Sequence, residues 1–295
     1  MFPRIYPHLS RFLSLLVLSA ISLQVLSAIR ISSGTQAKQY AAKAYLGFDR
    51  NIYPGDDALS ILRKSFAFTG YWLGPPPGET VNTWRGKRNL LQSHGFGFAL
   101  LYRGRQSNEV TTESAASEKG LQDARAAAAS AKADGFRSNV VIFLDLEEGG
   151  RLSASYHAYL RAWATALSHL GYRAGVYCSG IPVNEGGGTT IITANDIREH
   201  IRANKLSYWV YNDVCPPSPG CALSHAAPAL FAGGLNYAAI WQFAQSPRRK
   251  EFTAQCAATY HSDDNCYAPG DAARAWFLDM NTAASPDPSG GNKSP

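Results

Sequence analysis

Two carboxylates, Asp145 and Glu147, close the run Val140-Val141-Ile142-Phe143-Leu144-Asp145-Leu146-Glu147, an apolar, β-branched segment of strand length. Side chains two apart on a strand point the same way, so both acids face one side. Their Cα atoms lie roughly 6.6 Å apart at about 3.3 Å per residue, a spacing at which paired carboxyls can act as acid, base or nucleophile on a glycosidic bond. An isolated Asp-x-Glu more often caps a helix or binds a loop amide, so this pair needs company. Asp49 ends the run Tyr45-Leu46-Gly47-Phe48-Asp49, and Asp279 ends Trp276-Phe277-Leu278-Asp279. Aromatic and amide side chains stand at or near the ends of other apolar runs: Trp72, Tyr102, Tyr177, Trp209, Tyr211, Trp241, Gln242 and Asn281. Such rings suit stacking on sugar faces, and they serve as core packing just as often.

The elements that must carry these residues alternate in period. Strand-like runs cover 44–49, 68–73, 96–102, 140–145, 173–178, 207–211, 238–243 and 276–279. Between them, 114–133 is Ala-rich and stops at Gly135, 153–170 places Tyr156, Leu160, Trp163, Leu167 and Leu170 on one helical face, and 196–203 is a shorter helix. Eight βα-like units over about 240 residues match an α/β class protein, a (β/α)8 TIM-type barrel that is irregular in its last units. A doubly wound open sheet is the alternative. In the barrel, acids at strand C-termini share one mouth, and the first and eighth strands are neighbours.

Residues 1–37 stand apart, with basic Arg4 and Arg11, an apolar run from Phe12 to Ala28, and a polar stretch to Ala37. That layout is a secretory signal, either cleaved or kept as an anchor, which would be the chain's one membrane contact. The barrel domain then covers 38–283. Residues 284–295 (ASPDPSGGNKSP) lack apolar content and read as a disordered tail. Arg4, Arg11 and Arg30 lie in the leader and no acid does, so the remainder has less positive charge than the formal +6 of the chain. No Lys/Arg block occurs, which argues against nucleic acid as a partner. The absence of a His pair at zinc-ligand spacing, and of a glycine-rich phosphate loop, predicts no metal, no nucleotide and no cofactor. In an exported protein, the spacing of five cysteines suggests local bridges Cys215–Cys221 and Cys256–Cys266, leaving Cys178 as a buried free thiol.

The segments Leu46-Gly47-Phe48-Asp49, Phe143-Leu144-Asp145-Leu146-Glu147, Ala174-Gly175-Val176-Tyr177-Cys178, Ile240-Trp241-Gln242-Phe243 and Phe277-Leu278-Asp279-Met280-Asn281, in that order, resemble the family 25 glycoside hydrolases. They are more similar still to the glycoside-hydrolase-like relatives known as domain of unknown function 1906. The family 25 enzymes are lysozymes that cut the β-1,4 bond after N-acetylmuramic acid in peptidoglycan. The resemblance implies Glu147 as proton donor, with Asp145, Asp49 and Asp279 as supporting carboxylates and a polysaccharide as partner. The charges of Asp145 and Glu148 are expected to raise the pKa of Glu147, with Asp145 itself ionised. The Gly74-Pro75-Pro76-Pro77-Gly78 segment and Glu148-Gly149-Gly150 depart from the lysozyme pattern at the cleft rim. A secreted carbohydrate-binding or wall-associated barrel without turnover is therefore the rival reading, because fold alone does not specify function.

Overall fold

The computed structural model describes residues 43–202, 205–223 and 226–292. The expected leader lies outside them. Strands β1 (Tyr45–Asp49), β2 (Phe68–Trp72), β3 (Gly97–Arg103), β4 (Val141–Asp145), β5 (Arg173–Ser179), β8 (Ser207–Tyr211), β9 (Ile240–Ala244) and β10 (Asp279–Ala283) close a barrel in the order β1-β10-β9-β8-β5-β4-β3-β2. Strands β6 (Val183–Gly186) and β7 (Thr189–Ile191) form a separate exposed hairpin. Helices α1 (Leu59–Leu62), α2 (Arg88–Ser93), α3 (Glu113–Ala133), α4 (Ala154–His169), α5 (Thr193–His200) and α6 (Lys250–Thr253) connect them. The chain is thus an eight-stranded α/β barrel of TIM type, and among the described residues no helix is long and apolar enough to cross a membrane.

The long helices follow from their caps and composition. Thr112 accepts a hydrogen bond from the Ala115 amide at the start of α3, and Ser153 accepts one from the Tyr156 amide at the start of α4. Gly135 and Gly171, both at positive φ, stop them. Small residues let the two helices approach closely: a Cβ on Gly120 would sit 2.4 Å from the Tyr159 carbonyl oxygen.

The eighth strand departs from expectation in place and direction. It starts at Asp279 instead of ending there, and it pairs antiparallel with both β9 and β1. A parallel return needs a crossover that carries the chain back to the far end of the barrel. Between β9 and β10 the only helices are α6 and a short 3-10 turn at Ala254–Thr259, and the segment stays at the mouth. There Ser246 Oγ donates to the Leu278 carbonyl and the Leu278 amide donates to the Cys266 carbonyl. The chain therefore enters β10 from the mouth and runs downward.

Two further expectations are corrected. The bridges are Cys215–Cys256 and Cys221–Cys266, not the local pairs. They stitch the loop after β8 to the loop after β9, which lie side by side: the Cys215 amide donates to the Phe252 carbonyl and the Cys221 amide to Thr259 Oγ1. Cys178 is buried and unpaired, as expected. The tail, through Asn292, is packed and not disordered. Ser289 is fully buried between the starts of β3 and β4, where its amide donates to Phe98 O, its carbonyl accepts from the Val141 amide, and its Oγ accepts from the Leu100 amide. Asp287 accepts from the Phe98, Gly291 and Asn292 amides. The segment is held by polar pairing instead of apolar burial, which is why its composition hides it.

Candidate active site

Asp49 and Asp279 are direct cross-strand partners, because the start of a downward strand lies beside the end of an upward one. Asp145 ends β4, in register with Arg103 on β3 and Tyr177 on β5. All three acids therefore sit at one mouth, with Glu147 two residues beyond Asp145 on the rim. Close approach at Asp49 requires a glycine opposite: a Cβ on Gly70 would fall 2.5 Å from the Asp49 Cβ.

Asp49 is held by two amides. Its Oδ1 accepts from Asn281 Nδ2 at 2.6 Å and from Gln242 Nε2 at 3.0 Å. Each amide is oriented from behind, as Trp209 Nε1 donates to Asn281 Oδ1 at 2.8 Å and the Tyr177 hydroxyl donates to Gln242 Oε1 at 2.7 Å. Asp279 Oδ1 accepts from the Ser246 amide at 2.6 Å. The Glu147 carbonyl accepts from the Tyr211 hydroxyl at 2.8 Å, and the Asp145 carbonyl accepts from the Gly104 amide at 2.9 Å. Glu148 takes the Ser107 amide at 2.7 Å and the Ser107 hydroxyl as well, which ties the rim after β4 to the loop after β3.

Asp49 and Asp145 are each 7% exposed, whereas the Glu147 side chain opens to solvent. Burial pushes Asp49 up to about 6, against the two amide hydrogen bonds that pull it down. Burial also lifts Asp145 well above the usual carboxylate range, helped by the charges of Glu147 and Asp49 and opposed by Arg103. Asp279 is raised likewise, by burial first and then by Asp49. The expectation that Asp145 stays ionised thus meets a physical obstacle, since its desolvated site favours the neutral acid.

Among the expected binding residues, Tyr177, Trp209, Tyr211, Gln242 and Asn281 join this network. Trp209 and Asn281 are fully buried and act from beneath. Trp72 is on the same strand face as Gly70 and is nearly buried, with its indole N–H unpartnered. Two residues stand on the outward parity instead. Tyr102 packs onto Trp163 of α4, with ring centroids 5.8 Å apart, and still lines a cleft beside Arg103, whereas Trp241 packs against Phe243, its indole donating to the Asn212 carbonyl. Each lies one residue from an inward neighbour, and strand parity decides the face.

A cleft of about 220 Å³ is lined by Pro77, Gly78, Arg103, Asp145, Glu147 and Glu148, and a neighbouring one of about 410 Å³ continues along Gly74, Pro75, Arg103 and Glu109. Arg103, common to both, was missed as a site residue; its place at the end of β3, directly after Tyr102, was the available signal. Gln245, which donates to Gln242 Oε1 at 2.8 Å, had no such signal. A larger cavity of about 570 Å³ lies elsewhere, beside Arg198, Arg202 and Lys205, with none of the four acids in its lining.

Residues 82–214 match the family described as the Rv2525c-like, glycoside hydrolase-like domain. A search of curated proteins finds no match. Among solved structures, an uncharacterized B. stearothermophilus protein is similar with a TM-score of 0.52 and 17% identity, over 81% of this chain and 95% of that one. The Mycobacterium tuberculosis Tat-secreted protein Rv2525c aligns with a TM-score of 0.48 and 15% identity, over 83% and 97%. The bacterial lysozyme from Streptomyces coelicolor aligns with 0.45 and 12%, over 80% and 90%. At these identities the first likeness shows the fold.

Proposed function

We propose that this chain, whose residues 82–214 match the Rv2525c-like, glycoside hydrolase-like domain, is an exported glycoside hydrolase cutting β-1,4 bonds in peptidoglycan or a related N-acetylhexosamine glycan. The observation that carries this reading is the meeting of four acids at one barrel mouth, three of them shielded and one, Glu147, open to a cleft. Glu147 protonates the leaving glycosidic oxygen while the C1–O bond breaks. Burial and mutual repulsion keep part of the Asp49, Asp145 and Asp279 cluster protonated, and the carboxylate charge that remains lies beneath the sugar ring, where positive charge develops. The attacking oxygen, from water or from the sugar's own 2-acetamido group, comes from the open side. Gln242 and Asn281 hold Asp49 in place, and Tyr211 holds the backbone of Glu147. The two disulfides support an oxidising compartment and hence export.

The test is product analysis. Purified protein incubated with peptidoglycan, and separately with chitin oligosaccharides, is expected to create new reducing ends on N-acetylhexosamine residues, read by mass spectrometry. Binding of either glycan without new reducing ends would favour the binding-barrel reading instead.

A further inference from the structure

Away from the barrel mouth, α4 and α5 bring together three side chains that sequence spacing did not pair. His157 lies in the first turn of α4, and Asp196 and His200 lie one turn apart on α5. One ligand atom from each falls within 4.8 Å of the others. We propose that His157, Asp196 and His200 bind a single divalent transition-metal ion of the zinc class, which clasps the two helices beneath the loop that carries Glu147.

Four features support the site. First, the donor set is right, since two imidazoles and a carboxylate suit zinc and leave a fourth position for water. Second, Asp196 is 1% exposed, yet its Oδ1 makes no hydrogen bond. A buried carboxylate oxygen without a donor is costly, and a cation would satisfy it. Third, the spacing fits. Two ligands about 2.1 Å from a tetrahedral ion are roughly 3.4 Å apart, and His200 Nδ1 lies 3.4 Å from Asp196 Oδ1. His157 Nε2 sits 2.8 Å from Asp196 Oδ2, so this edge opens by roughly half an ångström on binding. Fourth, the imidazole rings are stacked, 4.0 Å apart and 12° from parallel, with a nitrogen of each turned to the same carboxylate.

Two contacts compete with the ion. His200 Nδ1 lies 2.8 Å from the Asp196 carbonyl, and the Arg151 guanidinium is 3.9 Å from Asp196 Oδ1. Both can yield, because the His200 side chain is 41% exposed and Arg151 is exposed and already paired with Glu185 at 3.1 Å. The clasp would act on the loop directly. The Leu152 amide donates to Asp196 Oδ2, and Thr193 Oγ1 at the start of α5 donates to the Gly150 carbonyl, so the segment from Glu147 to Leu152 is anchored on this cluster.

The experiment uses the whole chain without a histidine tag, stripped with chelator and titrated with Zn²⁺ at neutral pH by calorimetry. Parallel runs use Mg²⁺ as a control and Co²⁺ for its visible absorption. The expected result is one Zn²⁺ per chain, a tetrahedral-type Co²⁺ spectrum, and a Tm that climbs with Zn²⁺ concentration. His200→Gln, at a half-exposed site that tolerates change, should weaken Zn²⁺ binding at least about tenfold with an unaltered circular dichroism spectrum, and His157→Gln should do the same or more. No stoichiometric binding, or affinity within about twofold of wild type in His200→Gln, would overturn the proposal; the latter would place the ion elsewhere, for instance on the carboxylates of the mouth.

Discussion

The barrel has two unlike arcs. From β1 to β5 the strands are parallel, their apolar runs are buried, and α3 and α4 cover them; Asp145 and Glu147 emerge from this arc simply as the end of a strand. From β8 to β10 there is no long helix among the described residues. There, two disulfides, the buried Asp213 with its Arg249 partner, and a reversed strand take its place. Asp49 stands at the seam, on a strand whose neighbours are parallel β2 and antiparallel β10. The comparison teaches that one mouth can be built in two ways: by strand register against an apolar core, or by covalent and polar stitching of loops that never leave the mouth.

Removing the stitches is the strongest way to break this contrast. Serine in place of Cys215, Cys221, Cys256 and Cys266 together should cost about 4 kcal/mol or more, since each bridge closes a loop of more than 40 residues. Denaturant midpoints check this, and unreduced peptide mapping should show Cys215 joined to Cys256. An equal midpoint with and without the bridges would mean that the second arc holds itself. The regular arc should respond differently. Asp145→Asn is expected to lower hydrolysis at least about 100-fold while keeping or raising the unfolding midpoint at pH 8, because it removes a carboxylate that burial disfavours. A loss of rate and stability together would make Asp145 a structural residue.

The tail sharpens the picture from the other end of the barrel. Asp287→Ala removes the acceptor of three amide hydrogen bonds and should cost about 1–3 kcal/mol, read from the same denaturant curves. The gentlest effect is a slope. A carboxyl whose folded pKa exceeds its unfolded value supports the fold below the unfolded value, and that support is lost as pH rises through the folded one. Asp49, raised to about 6, should therefore make stability fall between about pH 4 and pH 7, and Asp49→Asn should flatten part of that fall; Asp145 and Asp279, raised in the same direction, keep the rest.

What the sequence revealed divides along the same line. Apolar runs ended by acids exposed β1 and β4 with Asp49, Asp145 and Glu147, because local burial and strand length are written in consecutive residues. Asp279 lies at the same mouth as Asp49 although its strand runs the other way, since the direction of β10 depends on where the preceding loop is tethered. Tyr102 and Tyr177 look alike in sequence, yet parity sends one outward to Trp163 and the other inward to Gln242. The disulfide partners are neighbours in space alone, and the ordered tail is held by backbone groups that composition does not count.

The central claim is that Glu147, the exposed acid of the four, supplies the proton. Glu147→Gln and wild type should be compared for new reducing ends released from peptidoglycan, alongside glycan binding and circular dichroism. The account predicts a rate at least about 100-fold lower with binding and fold retained. A Glu147→Gln protein that releases sugar at the wild-type rate would contradict it.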